Sequence, residues 1–168
     1  GILAQKQKYK DMQDYLADIG YFWKQTEQEI DTGNEMISAI LKDLTTQYSD
    51  VEFVWRGKIQ STFTMSYYDT CTIFYNVFRN AFEAASQADK KIVEAEARYM
   101  KNILYINIQN SFAEVPIMKN GRYESTKEGD EHGFGIENAK AGIIKNGGCY
   151  AIKVEDYIFV TEIIIPET

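Results

Sequence analysis

Two asparagines inside a long helical pattern are the residues whose type and spacing first suggest chemistry. In SYYDTCTIFYNVFRNAFEAASQ, Asn76 and Asn80 are four residues apart, so their side chains lie on one face of a helix. Asparagine is a poor helix former, and an exposed helix face more often carries Lys, Glu or Arg. Its carbonyl oxygen is a neutral, hard ligand that can help to hold Mg²⁺ beside phosphates. The alternative is a polar stripe that simply faces solvent, continued by Asp69, Thr72 and Glu83.

A second candidate is STKEGDEHGFGIENAK at residues 125–140, where two glycines separated by one residue precede a helical pattern. With glycine at 133 and 135 the main chain can turn its amides toward an anion, and the helix adds its positive N-terminal end. The polar side chains that could join such a phosphate site are Ser125, Thr126 and Lys127. Because glycines also punctuate ordinary loops, this motif alone is weak evidence. The single histidine, His132, is more typical of a loop residue than of a catalyst.

The elements that must position these residues follow from hydrophobic periodicity. In chain order it predicts a helix at 8–30, a second helix capped by Asn34, a strand at 51–57, an edge-like strand near IQSTFTM, a helix at 66–87, a strand at 101–110, a long loop at 111–131, a helix ending near Asn146 before two glycines, and a hairpin of CYAIKV and YIFVTEIIIP joined at Glu155–Asp156. This order predicts a mixed sheet covered on one face by helices.

The first helix has two interpretations. Its apolar residues alternate steps of three and four in the order Tyr9, Met12, Leu16, Ile19 and Trp23. This is a heptad seam suited to a partner helix, or equally an ordinary amphipathic surface helix. The turn at Gly33 predicts a boundary between a helical segment at residues 1–32 and a domain at residues 33–168.

Composition excludes several classes of protein. The net charge of -7 and the pI of about 4.8 argue against a nucleic-acid partner, which requires clustered Lys and Arg. No stretch approaches the roughly 20 apolar residues of a membrane span. Cys71 and Cys149 fit no metal-binding spacing and are predicted to be buried thiols of a cytoplasmic protein.

The combination of these motifs carries a resemblance. The order NVFRNAFEAA, a strand ending at Asn110, a long loop and then STKxxxxHGFGI resembles the ATP-binding domain of sensor histidine kinases, in the GHKL superfamily that also contains gyrase and MutL. It is most similar to the AgrC-like peptide-quorum-sensor branch. The resemblance covers residues 30–166 and implies an α+β protein, a two-layer α/β sandwich called the Bergerat fold. The N-terminal helix would then be the remnant of a dimerisation hairpin.

The resemblance also implies roles for individual residues. Asn80 would be the Mg²⁺ ligand, and Asn76 its neighbour near the phosphates of ATP. The lid over ATP would lie between Asn110 and Ser125. The ATP-binding residues of the glycine motif and of the STK element before it would be Ser125, Thr126, Lys127, His132, Gly133, Phe134, Gly135 and Ile136.

One departure from the family pattern affects adenine recognition. Where the family has an aspartate that reads the adenine amine, this chain has Asn110 in NSFAEV. An asparagine can still accept a hydrogen bond from the amine through its carbonyl oxygen. The alternative function is a degenerate protein-interaction module that keeps the fold and no longer binds ATP.

A single position separates kinases from hydrolases in this resemblance. ATP-hydrolysing members have a glutamate four residues before the metal-binding asparagine, where this chain has Asn76. An amide cannot accept a proton from water at neutral pH. The resemblance therefore implies a protein-histidine kinase, not an ATPase, in which the γ-phosphoryl group passes to a histidine on a dimerisation domain.

That phosphoacceptor is absent from this sequence, because its only histidine lies in the glycine motif. We expect the catalytic fragment of a kinase, with ATP and Mg²⁺ as cofactors. Its expected partners are its own dimerisation domain, a response regulator and a second copy in a full-length homodimer. The expected location is the cytoplasmic side of a membrane-bound receptor.

Overall fold

The computed structural model describes residues 1–26, 30–60, 63–114, 118–119, 122–123 and 133–167. It divides into two compact units, Gly1–Ile30 and Asp31–Thr168. The first contains helix α1 (Ile2–Thr26). The elements of the second are α2 (Glu35–Gln47), β1 (Glu52–Arg56), α3 (Tyr67–Thr70), a π-helical turn (Cys71–Tyr75), α4 (Asn76–Ser86), β2 (Ile92–Met100), β3 (Ile103–Ser111), β4 (Met118–Lys119), β5 (Arg122–Tyr123), α5 (Gly133–Lys145), β6 (Cys149–Glu155) and β7 (Ile158–Pro166). Among the described helices, none is both long and apolar enough to cross a lipid bilayer.

Five strands form one mixed sheet in the order β1-β2-β3-β7-β6. β1 is parallel to β2, and the other neighbours are antiparallel. Helices α4 and α5 cover one face, where alternate residues such as Val93, Ile106 and Ile163 are fully buried, and α2 packs on the π-helical turn and α4. The opposite face carries ion pairs, including Arg56 with Glu94 at 3.1 Å. The predicted α+β fold, with a mixed sheet covered on one face, is confirmed.

An aromatic ridge fixes α4 on this sheet. Phe74, Phe78 and Phe82 recur every four residues and are fully buried. Phe53 of β1 packs edge-to-face on Phe78 and tilted on Phe82, with ring centroids 6.5 and 5.4 Å apart. Burial of each ring contributes about 1.5–3 kcal/mol, so the apolar side of α4 is committed to the sheet. The opposite, polar side is therefore left for another element.

Several predictions about single elements were wrong. β2 was missed because Glu94, Glu96 and Arg98 alternate with small residues and resemble a helix more than a strand. The described part of IQSTFTM forms no strand, and the long loop contains the two-residue strands β4 and β5. Both cysteines are exposed, Cys71 on the π-helical turn and Cys149 at the start of an edge strand.

The predicted first helix is present as α1. Of the residues in its predicted heptad seam, the structure describes the side chain of Met12, which is exposed. Tyr9, Leu16, Ile19 and Trp23 lie outside the side chains that the structure describes. The predicted cap of the second helix is confirmed, since the main-chain N–H of Ile37 donates to Oδ1 of Asn34 at 3.0 Å. The seam and the surface helix both stay predictions.

The segment before α2 is anchored to the loop after β1. The main-chain N–H of Ile59 donates to the carbonyl of Thr32 at 2.7 Å, and Nζ of Lys58 lies 2.6 Å from Oδ2 of Asp31. Gly33 has a φ of +86°, and a Cβ there would overlap the carbonyl oxygen of Ile59. Glycine is therefore required at this position by both backbone conformation and close approach.

Replacement of this glycine should destabilise the domain more than an equally strained glycine elsewhere. Gly147 also has a positive φ, +75°, but a Cβ there would meet only Pro166 at 3.4 Å, an ordinary contact. We expect Gly147→Ala to lower the free energy of unfolding by about 1 kcal/mol from backbone strain alone. Gly33→Ala adds a clash with a main-chain atom and should cost roughly 3 kcal/mol or more. Urea unfolding followed by circular dichroism measures both, and equal costs would contradict the close approach at Ile59.

Candidate functional site

The helix that carries the two asparagines contains an irregular turn immediately before them. α3, the π-helical turn and α4 follow one another without a break from Tyr67 to Ser86. The main-chain N–H of Asn76 donates to the carbonyl of Ile73, three residues earlier. Its side-chain Nδ2 donates instead to the carbonyl of Thr72 at 2.6 Å. The side chain of Asn76 thus takes the acceptor that its own main chain would use in a regular α-helix.

The polar stripe on this helix does not lie open to solvent. Asp69 is buried, and the others are only partly exposed: Thr72, Asn76, Asn80 and Glu83. The two carboxylates of the stripe are paired, Asp69 with Lys145 and Glu83 with Arg79, at 3.1 and 3.0 Å. A simple solvent-facing stripe therefore does not describe this helix face.

The face of the stripe packs against α5 because two residues of α5 have no side chain. A Cβ on Gly135 would lie 2.9 Å from Oδ1 of Asn76, and one on Gly142 would lie 2.9 Å from Cγ1 of Ile73. These glycines are seven residues apart, about two turns, and so lie on one side of α5. Neither has a positive φ. Close helix packing, and not backbone conformation, is the reason for glycine at 135 and 142.

A buried carboxylate fixes the other end of this helix pair. Asp69 is 7% exposed and accepts hydrogen bonds from Nδ2 of Asn146 at 3.3 Å and from Nζ of Lys145 at 3.1 Å. The hydrogen bond from Asn146, and then that from Lys145, holds the pKa of Asp69 below its ordinary value of 3.8. Since the start of α3 meets the end of α5, and Asn76 meets the start of α5, the helices are antiparallel.

This antiparallel arrangement places Asn80 toward the N-terminal end of α5. Asn80 lies one helical turn beyond Asn76, about 6 Å along the axis, in the direction in which α5 begins. The first main-chain N–H groups of a helix have no partner within it and form an anion-binding end. A half-buried asparagine amide and an anion-binding helix end therefore lie on the same side of the Asn76–Gly135 contact.

Asn110 lies at the end of β3 on the helix-covered face of the sheet. It is 2% exposed and pairs in register with Val93 on one side and Phe159 on the other. Its Nδ2 donates to the carbonyl of Ser111 at 2.9 Å. This bond orients the amide so that Oδ1 is the atom left to accept a further hydrogen bond.

The described part of the chain includes only some of the predicted site residues. Of these residues, Asn76 and Gly135 are brought into contact, and Asn80 lies on the same helix as Asn76. Gly133 and Phe134 begin α5, and Ile136 lies half-buried in its first turn. The residues outside the described ranges are Ser125, Thr126, Lys127 and His132.

Sequence reasoning missed three contributors to this arrangement. Lys145 and Asn146 carried no signal, because their partner Asp69 is more than seventy residues earlier in the chain. Gly142 could have been noticed, since a glycine within a helical pattern usually has a packing reason. The register that sets Phe159 beside Asn110 depends on strand pairing, which no local pattern specifies.

Comparison with protein families identifies residues 65–166 with the family described as "GHKL domain". That match spans most of the chain and includes α3 to β7. A comparison with curated protein sequences finds no significant match.

Solved structures with a similar fold include a sensor histidine kinase and the catalytic domain of another histidine kinase. The mycobacterial sensor histidine kinase MprB has a TM-score of 0.62 at 17% identity, over 79% of this chain and 94% of that one. The catalytic domain of histidine kinase ThkA has a TM-score of 0.64 at 17% identity, over 82% and 96%. Full-length ShkA in complex with AMPPNP has a TM-score of 0.62 at 13% identity, over 79% and 29%. At these identities the likeness establishes the fold.

The buried carboxylate of the helix pair should make stability depend on pH with a defined sign. Because the pKa of Asp69 is lowered in the folded state, its contribution is present above about pH 3.8 and is lost as the pH falls further. We therefore expect Asp69→Asn to lower the midpoint of thermal unfolding at pH 7, and the difference from wild type to shrink toward pH 3.

Asp50→Asn is the matched control for this measurement. Asp50 also has a pKa lowered by a hydrogen bond, from Lys91, but its side chain is 61% exposed. Solvent screening should make its effect small at every pH. If Asp69→Asn lowers the unfolding midpoint by the same amount at every pH, the charge of Asp69 does not stabilise the helix pair.

Proposed function

The chain belongs to the GHKL domain family, and we propose that it is the ATP-binding catalytic domain of a sensor histidine kinase of the AgrC-like branch. The observation that carries this proposal is the contact between Asn76 and Gly135. It joins the asparagine helix to the glycine motif, two segments more than fifty residues apart in the sequence. The contact places the amide of Asn76 beside the first turn of α5, so the two motifs that the proposal assigns to ATP lie next to each other.

The residues present fit the magnesium complex of a nucleoside triphosphate. Asn80 supplies a neutral oxygen of the kind that Mg²⁺ accepts alongside phosphate oxygens. The first turn of α5, beginning at Gly133, supplies main-chain N–H groups for the phosphates. Bound Mg²⁺ would neutralise charge on the transferring phosphoryl group. The other ATP-binding residues in this proposal are Ser125, Thr126, Lys127, His132, Phe134, Gly135 and Ile136.

Asn110 is proposed to recognise the base. Its Oδ1 is oriented as an acceptor by the bond from Nδ2 to Ser111, and the adenine amine is a donor. The family's aspartate would accept the same bond with a full charge, which makes it stronger. Adenine recognition through Asn110 is therefore weaker than through a carboxylate, but in both cases the side-chain oxygen accepts the hydrogen bond from the amine.

The residues of the site support phosphoryl transfer to a histidine in preference to hydrolysis. The residue one turn before Asn80 is Asn76, whose amide cannot remove a proton from water. The chain's residues can hold and orient the phosphates, while the nucleophile comes from an imidazole outside this sequence. We propose that this imidazole lies on the dimerisation domain of a homodimeric, membrane-bound receptor. In this proposal α1 is the last part of that domain, this chain is its cytoplasmic catalytic part, and a response regulator receives the phosphoryl group.

Nucleotide binding is the first test of this function. We expect ADP to raise the unfolding midpoint of the whole chain, by an amount that grows with Mg²⁺. At 100 times the dissociation constant the stabilisation is about 2.7 kcal/mol. Asn80→Ala should reduce the Mg²⁺-dependent part, measured by calorimetric titration with and without a chelator.

Asn107→Ala serves as the control for that titration. Asn107 lies on β3 but on the sheet face opposite the helices, where its Nδ2 approaches the hydroxyl of Tyr105 at 3.4 Å. Its loss should leave nucleotide affinity unchanged. If wild type binds no adenine nucleotide at millimolar concentration, the alternative holds and the domain is an interaction module.

The absence of a general base predicts slow hydrolysis. The isolated chain with ATP and Mg²⁺ should release phosphate at a rate close to that of the uncatalysed reaction, because Asn76 cannot activate water. Release of phosphate can be followed continuously by a coupled absorbance assay. Multiple turnovers per minute, abolished by Asn80→Ala, would instead identify an ATPase of the same family.

A further inference from the structure

We propose that Asn76 is a positioning residue, which sets the distance between Asn80 and the phosphate-binding end of α5 and does not itself bind the nucleotide. This inference rests on the proposed function and gives one of its residues a specific task. It follows from what each polar atom of the Asn76 side chain contacts.

The donor of the Asn76 amide is already used within its own helix. Nδ2 donates to the carbonyl of Thr72 at 2.6 Å, at the point where the π-helical turn changes to α4. The main-chain N–H of Asn76 is directed to Ile73 instead of Thr72. The side chain therefore closes the irregular turn, and its rotamer is fixed by that bond. A residue held in this way cannot turn freely toward a ligand.

The acceptor of the same amide faces α5 at the glycine motif. A Cβ on Gly135 would lie 2.9 Å from Oδ1 of Asn76 and 3.5 Å from Cγ of Asn76. A larger residue at 135 would force either the Asn76 side chain to break its bond to Thr72 or the first turn of α5 to move away from α4. Asn76 thus acts as the spacer between the helix that carries Asn80 and the helix end that offers main-chain N–H groups.

Two other contacts hold the same helix pair, but both lie farther from the proposed site. Gly142 meets Ile73 near the middle of α5, and Asp69 meets Lys145 at its C-terminal end. These contacts maintain the pair as a unit. Of these three contacts between described residues, the one at Gly135 lies in the first turn of α5 and is the nearest to the phosphate-binding end.

This separation of roles gives a matched pair of substitutions. Gly135→Ala and Gly142→Ala each add one methyl group to the same face of α5, and each meets a side-chain atom at 2.9 Å. Both should lower the unfolding midpoint. Gly135→Ala should also weaken Mg²⁺–ADP binding roughly tenfold to a hundredfold, since small misplacements of site groups have effects of that size. Gly142→Ala should change it by less than about threefold, as its contact is distant from the site.

The decisive measurement is a double-mutant cycle with Asn76→Ala. Asn76→Ala alone should weaken Mg²⁺–ADP binding and reduce the gain in affinity that Mg²⁺ provides, because Asn80 loses its fixed distance from α5. The double variant Asn76→Ala with Gly135→Ala has no clash at this contact. It should bind no more weakly than either single variant, and it should be more stable than the sum of the single changes predicts.

Calorimetric titration of the whole chain with ADP, with Mg²⁺ and with a chelator, distinguishes the outcomes. If the losses of Mg²⁺–ADP affinity from Asn76→Ala and Gly135→Ala add in the double variant, the inference is overturned, because additive losses identify Asn76 as a direct ligand. An unchanged affinity in Asn76→Ala would overturn it as well. If the wild-type chain binds no ADP, both the proposed function and this inference are overturned. If the wild-type chain binds ADP but the losses of affinity are additive, only this inference is overturned.

Discussion

The close approach of two antiparallel helices is the constraint on which the rest of this domain depends. Side chains normally hold packed helices 8–10 Å apart, and glycine allows a closer approach. In α5 the two contact positions are Gly135 and Gly142, and the opposing side chains are Asn76 and Ile73. One contact is polar and at the proposed site, and the other is apolar and in the core. The same packing therefore builds the core and sets the geometry of the site.

The helix α4 can take part in this packing only because its other side is fixed independently. Phe74, Phe78 and Phe82 are buried between the helix and the sheet, and Phe53 packs on two of them. Rotation of α4 about its axis would expose these rings at a cost of several kcal/mol. The direction of the Asn76 and Asn80 side chains is thus determined by aromatic packing on the opposite side of the same helix.

The three asparagines around the proposed site share a physical property, which is neutrality. Asn80 and Asn110 each offer an amide oxygen that can bind a cation or accept a hydrogen bond, and Asn76 spaces the helices, all without a charge that repels phosphate. The carboxylates on the asparagine helix face are neutralised by pairing, Asp69 with Lys145 and Glu83 with Arg79. A protein with a net charge of -7 can in this way keep a local environment that suits an anionic ligand.

Local pattern was sufficient for the parts of this protein that depend on short-range chemistry. Periodicity and capping predicted α2, the long helix, α5 and the final hairpin, because alternation and the Asn34 cap act within a few residues. The order of the asparagine and glycine motifs indicated the family. β2 was missed because Glu, Ala and Arg favour helix locally, and pairing with β1 and β3 overrides that preference. Only the tertiary structure decided that Gly135 is needed for contact with Asn76, that Asp69 is buried beside Lys145, and that the cysteines are exposed. Each of these depends on which distant segments meet, and a contact between segments far apart in the chain leaves no periodic trace in either of them.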